Sequence, residues 1–148
     1  MANKKQSLKQ IIASEYKQCA ADPIYFMRKY CMIQHPVRGK IPFQLYPFQD
    51  HRYNVILKSR QTGISTLTAG FSLWKMLFND DFNCLVIATK QEVAKNLVTK
   101  VRVMNHYLPS WLKLTTVEDN KLSLRYSNGS QIKATSAASD AGRSEALS

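Results

Sequence analysis

"YNVILKSRQTGIST", residues 53–66, is the stretch on which the fold of this chain turns. Its apolar start, within "RYNVILKS" (52–59), reads as a buried strand. "GISTLTAGFSLWKMLFN" (63–79) reads as a helix with Leu67, Phe71, Trp74 and Phe78 on one face. A strand, a tight turn and a helix opening at Gly63 give the outline of a phosphate-binding loop, G-x-x-x-x-G-K-[ST]. Aligning Gly63 with the second glycine puts Ser65 on the Ser/Thr slot, Ile64 where the lysine stands and Lys58 in place of the first glycine. Such a loop works because successive backbone N–H groups and a helix N-terminus point at one anion. The Ser65 hydroxyl would then hold Mg2+, Lys58 and Arg60 would bring positive charge, and Thr62 would add a polar group. The plainer alternative is a helix start capped by Ser65 or Thr66.

Outward from this stretch the pattern alternates. "NCLVIAT" (83–89) is an apolar, β-branched strand, and "KQEVAKNLVTKVRVMNHYL" (90–108) is an amphipathic helix ending near Pro109. "KLSLRYSNGSQIKATSA" (121–137) reads as two alternating strands around Asn128-Gly129, a hairpin signal. Upstream, "SLKQIIASEYKQCAA" (7–21) predicts a helix with Ser7 as its N-cap, and Asp22-Pro23 predicts the cap and first turn of a second helix, "PIYFMRKYCMI" (23–33). "QHPVRGKIPFQLYPFQ" (34–49) holds three prolines and a glycine and reads as a loop or extended connection, with Phe43, Tyr46 and Phe48 in it. Strand, helix, strand, helix marks an α/β fold with a parallel-sheet core.

Composition sets the bounds. At 148 residues the chain has one domain's length, and 45% hydrophobic residues suffice for a core. No apolar run reaches membrane-spanning length, and "MANKKQSLKQ" has a basic start without an apolar segment after it, so neither a membrane span nor a secretory signal is expected. Cys19, Cys31 and Cys84 are widely spaced and lack metal-site patterns, which reads as reduced, mostly core thiols in a cytosolic setting. The net charge of +11 is uneven: residues 1–60 hold 11 Lys/Arg against 3 Asp/Glu, and residues 61–148 hold 10 against 7. That asymmetry fits a polyanionic partner, nucleic acid first, or else a solvated basic face.

Several ordered segments, "DPIYFMRKYCMIQHPVRGKIPFQLYPFQ" (22–49), "ILKSRQTGIST" (56–66) and "ATKQEVAKNL" (88–97), together resemble the N-terminal ATPase region of large terminase subunits, the DNA-packaging motors of tailed bacteriophages. The similarity runs over roughly residues 20–148. It implies a P-loop NTPase of the ASCE type, with a parallel-sheet core flanked by helices. Residues 1–42 would form an N-terminal helical extension and connecting loop, and 43–148 the front portion of the ATPase domain. The resemblance also implies ATP and Mg2+ as ligands. Lys58, Ser59, Arg60, Gln61, Thr62, Gly63, Ile64, Ser65 and Thr66 would form the loop, with Lys58 as the displaced phosphate lysine, Arg60 at the γ-phosphate and Ser65 on the metal. Gln49 matches the family's adenine-recognition segment, where a side-chain amide can both donate to and accept from the adenine edge. Arg143, in "ATSAASDAGRSEALS" (134–148), matches an arginine finger that reaches a neighbouring subunit's nucleotide. Implied partners are double-stranded DNA, the portal protein, a small terminase subunit and further copies in a ring. The implied location is the host cell cytoplasm, transiently on the procapsid.

The sequence departs from that family in two respects. No apolar strand ending in Asp-Glu is present, "VED" (117–119) follows "LTT", and no carboxylate cluster suits a nuclease. The chain therefore reads as a front portion that stops before the second nucleotide motif. It is expected to bind ATP weakly, to hydrolyse it poorly or not at all, and to self-associate through open sheet edges. Two readings compete with the terminase one: a helicase-like ATPase fragment, and a non-enzymatic basic module that binds nucleic acid or a partner.

Overall fold

A computed structural model describes residues 7–35, 37–44 and 63–136. Helix α1 spans Leu8–Ala21 and starts on a capping box: Ser7 Oγ accepts from the Gln10 amide at 3.4 Å, and Gln10 Oε1 accepts from the Ser7 amide at 3.0 Å. Asp22 ends α1 and begins α2 (Pro23–Tyr30), its Oδ1 accepting from the amides of Ile24 and Tyr25 at 2.8 and 3.1 Å. With Pro23 in the first turn, where no intrahelical donor is needed, the junction bends the chain sharply. The two helices are clasped at Glu15, whose Oε1 accepts from Lys29 Nζ (2.7 Å), Tyr25 Oη (2.8 Å) and Tyr30 Oη (2.9 Å).

Helix α2 stops at Tyr30 rather than continuing to Ile33, because Met32–His35 (β1) pairs antiparallel with Gly39–Pro42 (β2). Part of the segment expected as a loop or extended connection is thus a short hairpin. Its turn is held by His35 Nδ1, which accepts from the amides of Val37 and Arg38 at 3.1 Å each.

Helix α3 (Ile64–Phe78), strand β3 (Asn83–Ala88) and helix α4 (Gln91–His106) follow the expected alternation. Strands β4 (Thr116–Asp119), β5 (Ser123–Tyr126) and β6 (Gln131–Ser136) complete a four-stranded sheet ordered β3-β6-β5-β4. The sheet is mixed: β3 runs parallel to β6, with Cys84 opposite Ile132 and Val86 opposite Ala134, while β6-β5 and β5-β4 are antiparallel. The fold is therefore α/β, but within the described residues the parallel core amounts to one strand pair. The Asn128-Gly129 hairpin is present, with Gly129 at φ +83°, and its second strand inserts beside β3. Strand β4 was not expected from its exposed, polar sequence; it is an edge strand with a bulge between Thr116 and Glu118.

Helix α4 lies on the sheet, α3 packs on α4, and α2 lies against α3. The core joins Leu73 and Met76 of α3 to Val98, Val101 and Met104 of α4, to Leu124, Tyr126 and Ile132 of the sheet, and to Phe26 and Met27 of α2. The deeply buried side of α3 is Ala69, Leu73, Met76 and Leu77, not the predicted stripe. Leu67, Trp74 and Phe78 are only partly buried and Phe71 is 44% exposed. That stripe instead meets the N-terminal helices: Trp74 Nε1 donates to the Cys19 carbonyl at 2.8 Å, and Phe78 makes edge contacts with Tyr16 and Phe26. All three cysteines are free. Burial pushes the Cys19 thiol up to about 11 and Cys31 up to about 12, so both stay protonated and unreactive at neutral pH. No helix among the described residues is long and apolar enough to cross a membrane.

Candidate functional site

At the carboxyl end of β3 the chain leaves a cavity of about 550 Å³. Three elements wall it: the start of α3 (Gly63–Thr66), the end of β3 (Val86–Ala88) and one face of α4, including Leu97 and Lys100. In α/β sheets this is where ligands gather, because helix N-termini and loops converge beyond the strand ends.

Gly63 shapes the first wall. It is the N-cap of α3 in the left-handed region (φ +72°, ψ 2°), a conformation glycine adopts at no steric cost. Its carbonyl accepts from the amides of Thr66 and Leu67, both at 3.0 Å. The amides of Ile64 and Ser65 precede that first intrahelical bond, as helix geometry requires, and no side chain caps α3. The expectation that Ser65 or Thr66 caps the helix is therefore incorrect. Both residues lie past the cap, inside the first turn.

The two hydroxyls differ. Ser65 is exposed, whereas Thr66 is buried and its Oγ1 accepts from Lys100 Nζ at 2.9 Å. Lys100 reaches it from the third turn of α4, so the cavity holds a cation that the loop itself does not provide. Among the described residues the lining contains this one cation and no carboxylate. Helix amides without intrahelical acceptors, an ammonium and apolar walls of Val86 and Leu97 suit an anion attached to a less polar body. Among the described residues no three His, Cys, Asp or Glu side chains converge as a metal site, leaving the Ser65 hydroxyl as the metal-directed group from the sequence.

Of the residues expected at the site, the structure brings Gly63, Ile64, Ser65 and Thr66 together on the cavity wall. Gln49, Lys58, Ser59, Arg60, Gln61, Thr62 and Arg143 lie outside the described residues, as do Tyr46, Phe48 and the strand expected over 52–59. Lys100 was missed. Its signal was positional: on α4 it sits one turn past Asn96 and Leu97, beside the buried stripe of Ala94, Val98 and Val101. No protein-family model matches the sequence.

Proposed function

We propose that this chain is the ATP-binding part of a viral DNA-packaging motor of the large-terminase type, coupling ATP hydrolysis to movement of double-stranded DNA into a procapsid. The observation that carries the reading is the glycine-opened, uncapped start of α3 facing a cavity at the carboxyl end of β3. The ordered sequence segments and the net charge of +11 support it further.

The described residues fit a polyphosphate with its Mg2+. The cavity is large enough for a nucleotide's phosphates, the Ile64 and Ser65 amides lack intrahelical acceptors, and the exposed Ser65 hydroxyl is open to a metal. Those amides would hold phosphate oxygens and Ser65 would hold Mg2+, which neutralises charge on the phosphates when bound. Lys58 and Arg60 are assigned to the phosphates, Gln49 to adenine and Arg143 to a neighbouring subunit's nucleotide, all on the sequence resemblance. Portal protein, small terminase subunit and a ring of copies are the assembly this reading implies.

Thermal melting with Mg-ATP tests the proposal. A ligand bound to the folded state at about 100 times its Kd adds about 2.7 kcal/mol of stability, so the melting temperature should rise clearly. Lys58→Ala and Ser65→Ala should each reduce that rise. Salt-sensitive DNA binding with no effect of ATP on melting would instead favour the basic-module reading.

A further inference from the structure

We propose that Lys100 is a phosphate-binding residue of this site, a cation delivered by α4 to nucleoside di- and triphosphates. The inference rests on the nucleotide reading and names a residue that reading does not contain.

Three observations converge. First, the slot beside Ser65 where a phosphate loop carries its lysine holds Ile64, and among the described residues the cation on this cavity comes from another element. Lys100 Nζ stands 2.9 Å from Thr66 Oγ1, the residue next to Ser65, and lines the same cavity. Second, Lys100 is a cation on the cavity wall that no ion pair holds among the described residues. Lys29 pairs with Glu15, Lys95 with Glu92 and Arg102 with Asp119, whereas Lys100 meets one neutral hydroxyl and no carboxylate among the described residues. An ammonium has three donors, so two remain for an anion. Third, Lys100 and Thr66 also line a second cavity of about 140 Å³ beside β1. The lysine thus borders two open spaces rather than one.

The alternative role is a simple tether between α3 and α4. A lysine-to-hydroxyl bond has an ionised donor and can serve as such a tether. The two roles separate experimentally.

ATP and ADP affinities are measured by calorimetry on the full chain and its variants, with inorganic pyrophosphate as competitor. Lys100→Gln should weaken both nucleotides by roughly 10- to 100-fold, the effect of one charge-assisted hydrogen bond. Pyrophosphate should compete on the wild type and not on Lys100→Gln, and Lys100→Arg should restore most of the affinity. Thr66→Val breaks the same tether and leaves the ammonium, so its ligand-free melting temperature reads what the tether alone contributes. Affinity lost in Lys100→Gln and not restored in Lys100→Arg, with a fall in ligand-free melting temperature equal to that of Thr66→Val, would make the bond a tether and overturn the proposal. Wild-type affinity in Lys100→Gln would also overturn it while leaving the nucleotide reading standing. Failure of the wild type to bind either nucleotide would overturn both.

Discussion

Gly63 and Glu15 each hold the structure at a single point, by different physics. Gly63 begins α3 at φ +72°, where a Cβ crowds the backbone. Gly63→Ala should lower unfolding free energy by about 1–2 kcal/mol in urea, and Gly63→Asn by less, because Asn tolerates this region better. An alanine variant as stable as the wild type would mean that the turn relaxes to negative φ. The caps at Ser7 and Asp22 were legible in the sequence because both sit within three residues of the groups they bond. Lys100 was not legible, since its partner Thr66 is 34 residues away and only the packing of α4 on α3 brings them together.

Between elements, the α1–α2 clasp gives a pH dependence of definite sign. The hydrogen bond from Lys29 is the main cause holding the Glu15 carboxyl below its ordinary value, with Tyr25 and Tyr30 adding to it and desolvation opposing. A carboxyl whose folded-state value is depressed contributes stability above its unfolded value and loses it as pH falls through the folded one. Glu15→Gln should therefore lower the melting temperature by a few degrees at neutral pH. The gap to wild type should close as pH drops through and below the carboxylate range. A gap that is constant with pH would mean that packing, not charge, is what Glu15 supplies. Element type was legible wherever periodicity ran long, as in α1, α3 and α4. The β1–β2 hairpin was hidden by its four-residue arms and the prolines around them. The orientation of α3 was not legible because apolar residues lie both on the bulky Leu67, Phe71, Trp74 and Phe78 face and on the Ala69, Leu73, Met76 and Leu77 face that is buried.

Across the whole molecule, α3 ties two ends of the fold that do different work. Its first turn walls the cavity at the end of β3, and its last turn meets the β5–β6 hairpin near the start of β3. There Asn128 Nδ2 donates to the carbonyls of Met76 (2.8 Å) and Asn79 (3.3 Å), while its Oδ1 accepts from the Ser130 amide (3.2 Å). A helix of 15 residues is about 22 Å long, more than twice the distance beyond which substitutions usually act independently. Asn128→Ala removes all three bonds and takes the side-chain donor from the Met76 carbonyl, while the Asn79 carbonyl keeps the Ser130 hydroxyl, which should cost about 1–3 kcal/mol of stability in urea unfolding. The ATP affinity of the folded variant should remain within about twofold of wild type, because nothing at the cavity changes. Loss of affinity at unchanged cavity residues would mean that α3 moves as one body and transmits hairpin strain to its N-terminus. The hairpin would then belong to the site, and the cavity's geometry would depend on the far end of the sheet as well as on Gly63 and Lys100.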